Sequence, residues 1–147
     1  MAYLIWVVLI ILVDQASKLM VVARLRPYQS VPVIDGLLFL TLAENPGGAF
    51  GLFRSQALLV MVVTAAISLG LLGALLFGRF HDGPFKLGLA LIAGGALGNL
   101  IDRIRLGYVI DFIDLRFWRP VFNLADIAIV LGTAIIALAL VLVRRAA

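Results

Sequence analysis

The chain contains no cysteine, which removes disulfides, thiolate nucleophiles and cysteine metal sites together. Histidine is nearly absent too. His81 is the only one, and it falls in a short turn away from the acids, so neither a serine–histidine–acid relay nor a histidine zinc site can be assembled with them. Serine is limited to Ser17, Ser30, Ser55 and Ser68, none of them within Gly-x-Ser-x-Gly. A Ser17–Lys18 dyad is disfavoured because adjacent residues on a helix point in different directions. Charged residues make up only 14% of the chain, and its net charge of +4 comes from scattered lysines and arginines. With no basic run, nothing points to nucleic acid. No metal or cofactor is expected, and carboxylates are the chemistry that remains.

What the chain has in abundance is apolar sequence. Its 64% hydrophobic content exceeds the roughly 45–50% of a soluble domain. Stretches near 2–22, 57–77, 86–102 and 122–143 approach the roughly 20 residues needed to cross a bilayer. The first is read as a retained helix, because it has no basic n-region and carries Asp14, Gln15, Ser17 and Lys18 where a cleavage site would need small residues. The expected architecture is one all-α integral membrane domain, 1–147, with four transmembrane helices. An even number of spans puts both termini on one side and the connections 23–56 and 103–121 on the other.

The first connection holds Pro27, Pro32 and Pro46 with glycines at 36, 47, 48 and 51, which rules out a continuous helix. Gly36–Ala43 and Gly48–Phe53 read as short strands around a turn, giving a small sheet at the interface. In the second connection, Tyr108, Phe112, Phe117, Trp118 and Phe122 punctuate polar sequence as aromatic side chains do at headgroup depth, so an interfacial segment is expected between helices 3 and 4. Gly94 and Gly98 form a small-xxx-small pair suited to close helix approach. Orientation stays open: Arg79, Lys86, Arg144 and Arg145 lie on the side of the termini, and the other eight basic residues lie near the opposite face. By raw count, the long loops would be cytoplasmic.

Ionisable groups inside a span are costly, so each is a candidate for function. The candidates are Asp14, Lys18, Asn99, Asp102, Asp111, Asn123 and Asp126, and the four-span topology brings all of them toward one membrane face. Asp14 and Lys18, four apart, can form an ion pair on one helix face. Asn99 and Asp102, followed by Arg103, read either as a polar helix end or as part of a site. Asn123 and Asp126 read either as a capping box or as chemistry. Asp111 lies between large apolar residues in Val109-Ile-Asp-Phe-Ile113, whereas Asp114 beside Arg116 reads as a solvated or paired group. Two carboxylates sharing a partly dehydrated pocket also share one proton, the arrangement by which aspartic proteases activate water. A proton or ion pathway and a structural partner within a larger complex are the alternatives, and peptide-bond cleavage by the purified chain separates them.

Five blocks, in order, resemble lipoprotein signal peptidase, the bacterial signal peptidase II family. They are Asp14-Gln-Ala-Ser-Lys18, Asn45-Pro-Gly-Gly-Ala-Phe50, Gly94-Gly-Ala-Leu-Gly-Asn-Leu-Ile-Asp-Arg103, Val109-Ile-Asp-Phe-Ile113 and Phe122-Asn-Leu-Ala-Asp126. The resemblance implies an aspartic endopeptidase that removes signal peptides from diacylglyceryl-modified prolipoproteins, cutting before the lipidated cysteine. It implies Asp111 and Asp126 as the catalytic pair, with Asn45, Gly48, Asn99, Asp102, Arg103 and Asn123 supporting the pocket or contacting substrate. Asp14 and Lys18 become a structural pair steadying the first helix. It further implies the bacterial inner membrane and its lipids, both termini cytoplasmic, with an extracytoplasmic sheet cradling substrate; a monomer is the default expectation, because four spans can enclose the site without symmetry.

Overall fold

The computed structural model describes residues 2–46, 57–78, 80 and 83–146. Four helices and three strands follow one another: α1 (Ala2–Val22), β1 (Ser30–Ile34), β2 (Leu38–Asn45), α2 (Ala57–Phe77), α3 (Pro84–Leu106), β3 (Val109–Leu115) and α4 (Leu124–Ala146). At 21 residues, α1 and α2 are each about 30 Å long, the thickness of a hydrocarbon core. All four helices are long and apolar enough to cross a membrane. Leu58, Leu59, Val62, Ile67 and Leu69 on α2 and Val130, Leu131 and Leu138 on α4 point outward and exposed. In water that surface would be a liability, whereas in lipid it is the solvent-facing side.

α3 is the central helix and packs against each of the other three. Its small residues allow this: a Cβ on Gly94 would lie 2.9 Å from Ile10 of α1, one on Gly95 would lie 2.4 Å from the Ala125 carbonyl oxygen of α4, and one on Gly98 would lie 2.7 Å from Asp14 Oδ2. Helices in lipid gain their association from such close van der Waals contact, because water supplies no hydrophobic drive between them. α3 is longer than the expected span. Pro84 occupies its first turn, where a missing N–H costs nothing, and Gly107, at φ 82°, ends it in the left-handed conformation and donates its N–H to the Arg103 carbonyl. α4 begins at Leu124 because Asn123 caps it.

The strands form one antiparallel sheet in the order β1-β2-β3. β2 falls where a strand was expected, while residues 48–53, the second expected strand, lie outside the described residues. β1, Ser-Val-Pro-Val-Ile, is exposed along its whole length, and only an edge strand tolerates its Pro32. The segment between helices 3 and 4 departs from expectation. Residues 109–115 are not a surface segment but β3, whose first four residues are all buried. Phe112, with Ile110, packs on Val21 and Leu42 beneath the sheet. Phe117 and Trp118 alone keep the exposed placement expected of interfacial aromatics.

Candidate active site

β3 and α4 each deliver one carboxylate to the same cavity. On β3, Asp111 lies opposite Ala43 of β2, and Val109 lies opposite Asn45. Asn45 and Asp111 are therefore diagonal neighbours on one face of the sheet, and Asn45 Nδ2 donates to Asp111 Oδ2 at 2.9 Å. On α4, Asp126 closes a capping box: its N–H donates to Asn123 Oδ1 at 3.0 Å, and its Oδ2 accepts from the Asn123 N–H at 3.2 Å. The capping and functional readings of this pair are thus compatible in a single geometry. Asn45, Asn99, Arg103, Asp111, Trp118 and Asp126 all line one cavity of about 290 Å³.

Asparagines tie the two acids together. Asn123 Nδ2 donates to Asp111 Oδ1 at 2.6 Å and also approaches Asn99 Oδ1 at 3.1 Å. Asn99 Nδ2 donates to Asp126 Oδ1 at 2.9 Å. Burial is the chief cause pushing the Asp111 carboxyl up to about 7; the amide donors of Asn45 and Asn123 oppose it, and the charge of Asp126 acts with it. Asp111 can therefore hold a proton near neutrality, as an acid partner requires.

Beneath the cavity lies a buried ionic layer. Lys18 bridges Asp14 at 2.8 Å and Asp102 at 2.9 Å. Asp14 spends its other oxygen on the Ala125 N–H at 3.0 Å, and Asp102 accepts the Ile110 N–H at 3.1 Å. Gln15, which motif reasoning did not single out, donates to Asp102 Oδ1 at 2.9 Å and to the Gly98 carbonyl at 3.2 Å. Its signal was its place in the first polar run, one residue after Asp14. Asp114 sits away from this layer, held by Thr41 at 2.8 Å and by Arg116 at 3.4 Å. Gly48 and His81 lie outside the described residues. Among the described residues, no cluster of His, Cys, Asp and Glu could hold a metal ion.

An apolar groove of about 320 Å³ adjoins the cavity, running from Trp118, Phe122 and Asp126 along Ile127, Val130 and Leu131 of α4. The site therefore joins a wet, carboxylate-bearing end to a dry one.

Residues 6–142 match the family described as signal peptidase (SPase) II. The chain is 46% identical over 136 residues to the lipoprotein signal peptidase of Moorella thermoacetica, covering 92% of this chain and 90% of that one. It is 42% identical over 138 residues to that of Halothermothrix orenii, with 94% and 93% covered. A bacterial membrane enzyme solved by the in meso method at 2.3 Å superposes with a TM-score of 0.88 at 28% identity, over 95% of this chain and 87% of its own. A second, at 1.9 Å, gives 0.84 at 29% identity, with 95% and 92% covered. Sequence and fold agree over almost the entire length, and the chain belongs to the signal peptidase II family, as a multi-pass membrane peptidase.

Proposed function

We propose that Asp111 and Asp126 are the catalytic pair of an aspartyl endopeptidase acting on diacylglyceryl-modified prolipoproteins. The observation that carries this reading is the shared cavity, in which a carboxylate from β3 and one from α4 are held by a common set of asparagine amides. One carboxylate takes a proton from water while its protonated partner donates to the scissile carbonyl oxygen. The resulting oxygen–carbon bond gives a tetrahedral intermediate. Its collapse breaks the carbon–nitrogen bond before the lipidated cysteine, and the leaving amine carries away a proton.

The rest of the site suits such a substrate. The apolar groove along α4 would take hydrocarbon from the acyl chains or the signal helix, keeping the peptide bond at the polar end. Arg103 has a buried Nε without a hydrogen-bond partner among the described residues. A substrate peptide carbonyl would satisfy it, which supports the contact role given to Arg103. Asn45, Asn99 and Asn123 orient the acids, Asp102 holds the start of β3, and Gly48 belongs to the proposed cradle. The chain would work as a monomer among membrane lipids of the bacterial inner membrane, with cytoplasmic termini and an extracytoplasmic site.

Cleavage of a lipidated precursor by purified protein, compared with Asp111→Asn and Asp126→Asn, tests the reading. Each variant should lose about 10²–10⁴-fold in kcat while still inserting and folding. The double variant should be little worse, because the two groups act as one unit. Retained activity in either single variant would refute the pair.

A further inference from the structure

The buried lysine of α1 does more than balance charge. An ammonium carries three N–H donors, and Lys18, only 1% exposed, gives one each to Asp14 Oδ2 at 2.8 Å, Asp102 Oδ2 at 2.9 Å and Asn99 Oδ1 at 3.0 Å. Each partner leads to one of the two acids. Asp14 accepts the N–H of Ala125, the residue before Asp126. Asp102 accepts the N–H of Ile110, the residue before Asp111. Asn99 reaches Asp126 directly.

The Asn99 contact fixes a direction. An amide oxygen and nitrogen are nearly interchangeable in shape, so the hydrogen-bond network decides which is which. A lysine ammonium has no acceptor, so the Asn99 atom facing Lys18 has to be oxygen. The opposite atom, facing Asp126, is then the N–H₂. Asp126 consequently meets a donor at Oδ1 and the Asn123 N–H at Oδ2. Both its oxygens therefore act as acceptors, as do both oxygens of Asp111, which meet the amides of Asn45 and Asn123.

We propose that Lys18 is a positioning residue for catalysis, orienting the Asn99 amide toward Asp126 and, through Asp14 and Asp102, holding the backbone just ahead of Asp126 and Asp111. This rests on the proposed carboxylate pair. The ionisable groups around the pair are Asp14 and Lys18 on α1, Asp102 and Arg103 on α3, and the acids themselves on β3 and α4. α2 contributes none among its described residues. Of these, Lys18 is the cation bonded to the amide that faces Asp126.

Lys18→Met keeps the length of the stem and removes the charge. Folded Lys18→Met should lose about 10²-fold in kcat, the scale of a misplaced reacting group, with KM for the lipidated precursor nearly unchanged. Its pH–kcat profile should shift to higher pH, because the Lys18 charge lowers the Asp111 carboxyl and removing it favours the protonated form. Where two unpaired buried acids stop that variant from folding, Lys18→Met combined with Asp14→Asn and Asp102→Asn decides. Amides of the same shape leave no unpaired buried charge while Asn99 still loses its ammonium partner, so the same kcat loss is expected. A lysine that only steadied the bundle would lower the melting temperature or the yield and leave kcat per folded molecule of these variants as in the wild type. That outcome overturns the proposal. Loss of cleavage in Asp111→Asn and Asp126→Asn alongside it would show that only this inference has failed, and retained cleavage there would sink both readings.

Discussion

At the scale of single residues, the raised Asp111 carboxyl makes two linked predictions about pH. Its ordinary value is 3.8, and burial takes it to about 7 in the fold. If Asp111 is the proton holder, kcat should fall as pH rises through about 7, giving an alkaline limb in a cleavage profile measured in detergent. Stability follows the same group. Between those two values the folded protein binds a proton that the unfolded chain does not, so the contribution of Asp111 to stability falls as pH rises across that window. The melting temperature of Asp111→Asn should therefore gain a few degrees on the wild type as pH rises from 3.8 to about 7, and hold that difference above it. A constant difference across that range would contradict the assignment. Asp111 stood out in the sequence as an acid between Ile110 and Phe112, and Asp126 as an ionisable group in a span, although its place three residues after Asn123 also read as a capping box. Of the three partners of Lys18, only Asp14 was legible. Spacing reveals Asp14 on the same helix face, whereas Asp102 and Asn99 come close only through the packing of α1 on α3, which no local pattern encodes.

At the scale of elements, α3 depends on glycine where it meets its neighbours, and α2 does not. A Cβ at Gly95 would collide with the Ala125 carbonyl, while one at Gly70 or Gly73 of α2 meets nothing within 4 Å. Gly95→Ala should cost about 1–3 kcal/mol by overpacking and should also cut activity, because it pushes on the turn that presents Asp126. Gly70→Ala and Gly73→Ala should be neutral or slightly stabilising, since alanine is the better helix former. Thermal unfolding of the three variants checks the contrast, and equal effects would show that the close approach is not limiting. The long helices were readable from hydrophobic length alone. β3 was not, because its first four residues are covered on both faces and show no alternation. β1 was hidden by Pro32, which ordinarily argues against a strand.

At the scale of the whole molecule, the four-helix fold with a small sheet was foreseen, whereas its orientation in the bilayer is an expectation that charge counting does not resolve. The absence of native cysteine makes a direct test simple. Asp35→Cys, in the exposed turn between β1 and β2, should react with a membrane-impermeant thiol reagent added outside spheroplasts. Phe80→Cys, between α2 and α3, should react only after lysis. The reverse pattern would place the carboxylates on the cytoplasmic side. A last consequence comes from the bond between the Asp14 side chain and the Ala125 N–H. The first helix thereby clasps the start of the fourth, across a sequence separation of 111. A chain synthesised only as far as β3 carries Asp111 without Asp126, so on the proposed pairing the site is incomplete until α4 has been made and has packed against α1 and α3.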